Sequence, residues 1–400
     1  MKIGILTLQD SPNYGAVLQA YAMRSYLTGL GHETFVIDRR RDSGNAPLRT
    51  PPPERDFARL LGLFRVDARN GAREYERRCE RTLAFERDRI GMSPYHFHDW
   101  KDAPSDLGLD LVLVGSDQVW NANNLDPKDY LLKDVPGDPP GVAYAASIGM
   151  PEFPADRLED FRAGFARFAA IGVREREAVE MVRSLGFAAE HVVDPVLLAG
   201  RDVWASVSAD DASPADVTPR TFAYFLAEEV PAMLPELADF AAKTGRRVDL
   251  FVDWYVRRAP HGIGGWMKNG KFWRKWRGRG IDFRLDAGPE EFVRSIAAAN
   301  SVVSNSYHAL MFSLKFGKDV RIVLPTHPVR RRMNARLREF EGTLTEGPLI
   351  AEKLSDALRS LASSEHVAIR TETLASRVAA SDRWLTAAIS AARTGGARTA

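Results

Sequence analysis

Short apolar runs alternating with helical stretches constrain this chain more than any other feature. Lys2-Ile3-Gly4-Ile5-Leu6-Thr7 reads as a buried strand, and Ala16 to Met23 opens a helix with apolar residues at helical spacing. Gly29 and Gly31 end that helix, and Glu33-Thr34-Phe35-Val36-Ile37-Asp38 supplies a second strand. A strand, a helix and another strand in this order form a βαβ unit, which favours a parallel sheet and a Rossmann-like opening. The pattern resumes at Asp110 to Gly115, Val142 to Ser147, Ala170 to Arg174 and His191 to Pro195, the last strand being ended by proline. After a stretch rich in Asp, Ser and Ala from Ala199 to Pro219, a second series runs from Thr221 to Leu324.

The expected architecture is therefore α/β, with two Rossmann-like domains facing across a cleft. Residues 1–198 form the first domain, with a basic, proline-rich excursion at 39–100, and residues 199–219 form a linker. Residues 220–372 form the second domain, and 373–400 a C-terminal helix packing back on the first. Ligands of such sheets bind beyond the carboxyl ends of the strands, so the loops there should converge on one cleft. No repeat of solenoid period is visible.

Composition closes off other classes. The chain has 400 residues, 45% of them hydrophobic, enough for more than one core. Its apolar runs are far shorter than the roughly 20 residues of a membrane helix. The opening residues lack signal-peptide character, so a cytoplasmic protein is expected. Cys79 is the only cysteine, which excludes an internal disulfide and a cysteine-rich zinc site. The histidines show no HExxH spacing and no GxxxxGK[ST] loop occurs, so no metal and no cofactor are expected.

Net charge is +2, too small for nucleic-acid binding over the whole surface, but arginine is concentrated between Arg39 and Arg81, which reads as a solvated face. A second basic stretch interleaves Trp266, Trp273 and Trp276 with lysine and arginine. That mixture suits stacking on sugar rings, an anionic acceptor, or peripheral contact with a lipid surface at the inner face of the membrane; a basic loop whose tryptophans cover a domain edge fits equally.

Ser304-Asn305-Ser306-Tyr307-His308 lies where a strand passes into a helix, and the free N–H groups there suit an anion. His308 in that turn can exchange protons near neutral pH or contact a phosphate. Ser306 as a helix cap and His308 as a packing residue fit the same letters. Arg174 follows a strand and can grip a carboxylate or phosphate bidentately, or form an ion pair at the start of a charged helix. Asn13, Tyr14 and Gly15 form a turn that admits a ligand to the backbone, without the full glycine pattern of a dinucleotide fingerprint. Gly115, Ser116, Asp117 and Gln118 suit sugar hydroxyls or a phosphate, although a plain turn with an Asp cap would look alike, and Ser147 is a similar case.

Taken in order, these blocks resemble the polysaccharide pyruvyl transferase family: Asn13-Tyr14-Gly15-Ala16-Val17-Leu18-Gln19, Val114-Gly115-Ser116-Asp117-Gln118-Val119-Trp120-Asn121, Ala145-Ala146-Ser147-Ile148-Gly149, Val173-Arg174-Glu175, Asp194-Pro195-Val196-Leu197-Leu198, and Val303 to Ser313 around Tyr307-His308. The resemblance covers roughly residues 1–325 and implies a GT-B-like fold with the active site between the domains and no required metal. It implies that phosphoenolpyruvate is the donor, that Arg174 and His308 contact it, and that the acceptor is a sugar or lipid-linked glycan. Family members commonly have Phe-His-Gly where this chain has Tyr307-His308-Ala309, a change that narrows the pocket by a methyl. Two alternatives use the same features: a glycosyltransferase with a nucleotide-sugar donor, and a non-catalytic glycan- or lipid-binding protein.

Overall fold

The computed structural model describes residues 1–9, 13–39, 66–123, 125–208, 218–226, 230–253, 276, 278–325, 334–363 and 365–394. The first sheet is made of β1 (Lys2–Leu6), β2 (Glu33–Arg39), β3 (Met92–Phe97), β4 (Leu111–Val114), β5 (Gly141–Ala146), β6 (Phe168–Val173) and β7 (Glu190–His191), in the order β3-β2-β1-β4-β5-β6-β7. The second contains β8 (Arg220–Leu226), β9 (Arg247–Asp253), β10 (Ile281–Phe283), β11 (Ser301–Ser304), β12 (Asp319–Val323) and, beyond the short β13 (Thr345–Glu346), β14 (Ile350–Ala351). Its order is β10-β9-β8-β11-β12-β14, and β13 pairs antiparallel with β15 (Ala368–Ile369). Every pairing within the two large sheets is parallel. Each sheet reverses its strand order once, between β1 and β4 and between β8 and β11, and these switch points are where such sheets receive ligands.

The helices are α1 (Tyr14–Gly29), α2 (Val66–Phe85), α3 (Leu158–Phe165), α4 (Arg176–Ser184), α5 (Pro195–Leu198), α6 (Arg201–Ser208), α7 (Val230–Thr244), α8 (Pro289–Ala298), α9 (Tyr307–Phe316), α10 (Ala335–Arg338), α11 (Leu354–Ala362) and α12 (Thr371–Arg393). Burial on both faces explains the apolar strands. In β4, Leu111 and Leu113 enter one core while Val112 and Val114 enter another on the opposite face. The first of these cores is shared by the two sheets, since it joins Ile3, Val17 and Leu113 to Phe222, Phe292 and Phe312. Helix α1 lies inside it, which is why ten consecutive residues from Tyr14 to Met23 are buried. Helix α12 lies on the first sheet: the Trp384 ring abuts Gly172, and Ser381 Oγ accepts the Val193 N–H at 3.0 Å.

Several elements differ from the sequence reading. The excursion returns to the sheet as edge strand β3, and its helix α2 runs into a π turn, Glu86–Ile90. The strand expected over His191 to Pro195 stops at His191, because Asp194 caps α5 with Oδ1 on the Val196 N–H (2.9 Å) and Pro195 sits at a first-turn position. The start of the expected linker is helix α6, whose Trp204 is fully buried against Tyr21 and Phe312.

The arginine-rich region is only in part a solvated face where it is described: Arg77 and Arg81 are exposed, but Arg39 and Arg78 are buried. Arg39 is buried and pairs with Asp129 at 2.7 Å. From α2, Arg77 reaches Asp286 (3.2 Å) and Arg81 reaches Glu291 (2.9 Å), while Arg89 meets Glu290 (3.1 Å), so the excursion is stitched to the acidic start of α8. Arg78 is buried between the sheets, donating to the Val252 carbonyl at 2.6 Å with its guanidinium 4.1 Å from the Tyr14 ring centre. Trp276 also departs from expectation: it is buried in the core of the second sheet, where an indole gains more from apolar neighbours than from a surface. Trp266 and Trp273 lie outside the described residues. Among the described residues no helix is long and apolar enough to cross a membrane.

Candidate active site

Strand ends from both sheets meet around two carboxylates. Arg174 follows β6, Asp117 follows β4, Asp194 follows β7, and Tyr307 and His308 open α9 after β11. Arg174 is almost wholly buried, with Nη1 3.5 Å from Asp194 Oδ2, Nη2 3.7 Å from Asp117 Oδ1 and Nε 3.7 Å from Glu175 Oε1. Its guanidinium lies 4.3 Å from the Tyr307 ring centre, and Arg336 of α10 approaches the same ring at 5.4 Å. His308 Nε2 lies 3.8 Å from the same Asp194 Oδ2. One carboxylate oxygen thus faces both the arginine from the first sheet and the histidine from the second.

These contacts are long for charge-assisted bonds, which run at about 2.7–2.9 Å. The consequence is a set of buried polar atoms without hydrogen-bond partners: Arg174 Nε and Nη2, Arg336 Nε, His308 Nε2 and Glu175 Oε2. Leaving each such group unpaired costs about 1–3 kcal/mol, a cost tolerated chiefly where a function requires it. Electrostatics set the protonation states. Burial disfavours charge on Arg174, but Tyr307 and the carboxylates of Glu175, Asp117 and Asp194 more than offset it and hold its pKa up. Burial also works against the Asp117 carboxylate, yet Arg174, His308 and Arg336 hold its pKa below the usual carboxylate range. Burial pushes the His308 pKa down, with Arg174 and Arg336 adding to the effect against Asp194 and Asp117, so the ring is a neutral imidazole at neutral pH.

The remaining sequence candidates lie around this cluster in different ways. Gly15 touches the site from behind, because any Cβ there would lie 2.1 Å from His308 Nδ1. Ser116 Oγ donates to Asp194 Oδ2 at 3.2 Å, and Ser147 Oγ donates to Glu175 Oε1, so both support the charged cluster. Gly115 has φ of 117°, and a Cβ there would meet the Tyr144 carbonyl at 2.3 Å, so the turn between β4 and Asp117 requires glycine. Ser306 occupies the N-cap position of α9 without a side-chain cap bond, its own N–H going to Ser304 Oγ at 3.0 Å, and Asn305 beside it is buried. Asn13 Oδ1 caps α1 on the Ala16 N–H, and Gln118 accepts from Asn121 at 2.7 Å.

Tyr14 serves a different purpose from the one expected. Its hydroxyl donates to the Ala287 carbonyl at 2.7 Å and its ring stacks on Phe292 at 4.5 Å, inside the core shared by the sheets. Three residues of the cluster were not singled out from sequence. Asp194 carried a signal, since Asp-Pro after an apolar run is a helix-cap signature. Arg336 lies in a run of basic residues with nothing to distinguish it, and Glu175 reads as part of a charged helix start.

Comparison with known proteins places the chain in a family. The family model for polysaccharide pyruvyl transferase matches residues 13–326. The chain belongs to that family. The match takes in Arg174, Asp117, Asp194 and His308, whereas Arg336 and the α10 segment lie beyond its end. Among solved structures, a Listeria monocytogenes protein assigned as a UDP-N-acetylglucosamine 2-epimerase is similar in fold, with 10% identity, TM-score 0.53, and coverage of 99% of this chain and 98% of its own. The UDP-N-acetylglucosamine 2-epimerase of Rickettsia bellii gives 10% identity, TM-score 0.51 and the same coverage. At such identity the likeness concerns the fold alone, a GT-B-like pair of Rossmann-like domains. No curated protein matches the chain.

Proposed function

We propose that this pyruvyl transferase family member moves the enolpyruvyl carbons of phosphoenolpyruvate onto two hydroxyls of a sugar, giving a pyruvate ketal in the assembly of a cell-surface polysaccharide or glycoconjugate. The observation that carries the reading is the group of unpartnered buried nitrogens, Arg174 Nε and Nη2, Arg336 Nε and His308 Nε2, gathered around Tyr307. Two guanidinium groups suit a donor that bears both a carboxylate and a phosphate. The first-turn N–H groups of α9, which have no acceptor within their own helix, suit the phosphate.

The chemistry fixes what the site must accomplish. C3 of the donor gains one proton, two sugar hydroxyls each form a bond to C2, and the C2–O bond to phosphate breaks. Of the two hydroxyl protons, one is balanced by the proton added at C3 and the other by the proton on the released phosphate. His308, held neutral, fits proton transfer better than a permanent positive contact. Arg174 and Arg336 fix the donor and balance its charge. The acceptor in this reading is a sugar or lipid-linked glycan, and the steps balance without a metal.

Thermal unfolding with candidate donors tests the assignment. Phosphoenolpyruvate raises the midpoint, and Arg174→Gln removes that protection. Protection by a uridine or guanosine diphosphate-sugar, with none from phosphoenolpyruvate, would replace this reading with a nucleotide-sugar transferase. Glycan binding without consumption of any donor would replace it with a binding protein.

A further inference from the structure

The switch point of the first sheet is tied by a side chain that touches none of the charged groups. Gln19, on the inner face of α1, is fully buried. Its Nε2 donates to Thr7 Oγ1 at 2.9 Å and to the Ala16 carbonyl at 2.8 Å, with the Leu8 carbonyl at 3.3 Å. Its Oε1 accepts the Ser116 N–H at 3.1 Å. Thr7 Oγ1 in turn donates to the Ser116 carbonyl at 2.8 Å. Both backbone groups of Ser116 are therefore held, the N–H by Gln19 of α1 and the carbonyl by Thr7 just beyond β1, beside the gap where the strand order reverses.

Ser116 needs holding. Its neighbours Gly115 and Asp117 have φ of 117° and 67°, a positive-φ conformation that is uncommon for any residue but glycine, though aspartate adopts it more readily than most. Two carboxylates depend on this turn. Ser116 Oγ supports Asp194 Oδ2, the oxygen facing both Arg174 and His308, while Asp117 carries the oxygen facing Arg174 Nη2.

We infer that Gln19 is a positioning residue, which sets the Ser116 turn and through it the placement of Asp194 between Arg174 and His308. An amide is suited to this because one side chain must accept from a peptide N–H and donate to a hydroxyl. A carboxylate would add a buried charge near Asp194, and an apolar chain would orphan the Ser116 N–H. The inference rests on the cluster being the donor site.

The test uses Gln19→Met, Thr7→Val, Asp194→Asn and the double variant Gln19→Met with Asp194→Asn, read by thermal midpoint, phosphate release from phosphoenolpyruvate with acceptor, and the NMR titration of His308. In Gln19→Met, kcat falls about 10-fold to 100-fold while the KM for acceptor stays within about twofold, as expected for a misplaced rather than absent group. Thr7→Val moves kcat the same way by less. In the Asp194→Asn background the Gln19 substitution adds less than about twofold, because its influence passes through Asp194. The His308 midpoint falls further in Gln19→Met, since Asp194 is an acid that holds it up. A folded Gln19→Met or Thr7→Val protein with wild-type kinetics and wild-type His308 titration would overturn the inference, as would full additivity with Asp194→Asn. Should Gln19→Met fail to fold, Thr7→Val alone decides. The His308 titration needs no phosphoenolpyruvate, so a wild type inactive with that donor would sink the functional reading and leave the positioning inference to the titration.

Discussion

Replacing Gly15 with alanine places a methyl carbon 2.1 Å from His308 Nδ1 and 2.5 Å from its Cγ. Ordinary contact begins at 3.4 Å, so the imidazole must retreat by about 1.3 Å or α1 must shift. Alanine is otherwise favourable in a helix, by about 1 kcal/mol over glycine and by less in the first turn, so a net loss of stability is attributable to the contact. The overpacking costs about 1–3 kcal/mol. A displacement of about 1 Å in a reacting group lowers kcat about 100-fold. The assay is phosphate release from phosphoenolpyruvate with a saturating sugar acceptor, alongside the thermal midpoint. The expected result is a modestly destabilised, folded protein with kcat reduced about 100-fold. A folded Gly15→Ala protein with full kcat would refute the reasoning, because His308 would then tolerate displacement that a proton-transfer group does not.

Other outcomes follow from the same contacts. Tyr14→Phe lowers stability by about 1 kcal/mol through the lost bond to the Ala287 carbonyl and leaves the KM for phosphoenolpyruvate unchanged, as measured by denaturant unfolding and initial rates. Arg78→Met costs more stability than Arg77→Gln and Arg81→Gln together, because Arg78 is buried against Tyr14 whereas Arg77 and Arg81 are about half exposed, where each such pair contributes about 0–1 kcal/mol. The Glu339 carboxyl is pushed up from 4.5 to about 7, first by burial and then by Glu175, against the Arg176 N–H and Arg377. A carboxyl raised in the folded state contributes stability that is present below about pH 4.5 and is lost as pH rises through 7. Glu339→Gln therefore gains on wild type between pH 5 and pH 8, by about 1–3 kcal/mol, and a difference that stays flat with pH contradicts the assignment.

The central strands were legible because burial on both faces forces continuous apolar runs such as Leu111 to Val114. The edge strand β3 was not, since Met92-Ser93-Pro94-Tyr95-His96-Phe97 contains a proline and alternating polar residues, a composition that edges tolerate and that reads as loop. Helix α6 was missed because Arg201 to Ser208 is short and polar, and only Trp204 and Val207 are buried. The site shows the same division. Arg174 and His308 stood out because each follows an apolar strand, and position at a strand end is visible in sequence. Arg336 did not, because what distinguishes it is a stack on Tyr307 formed by tertiary packing. Tyr14 misled for the converse reason: its neighbours Asn13 and Gly15 look like a ligand turn, while its ring is directed into the second domain by Phe292 and Ala287.

Purified protein incubated with phosphoenolpyruvate and a panel of glycosides, lipid-linked ones included, gives the most direct test, with phosphate release and product mass followed together. The account predicts one phosphate released for each product, and a product heavier than its acceptor by pyruvate less one water. Absence of phosphate release with every glycoside, together with consumption of a nucleotide-sugar under the same conditions, would contradict it.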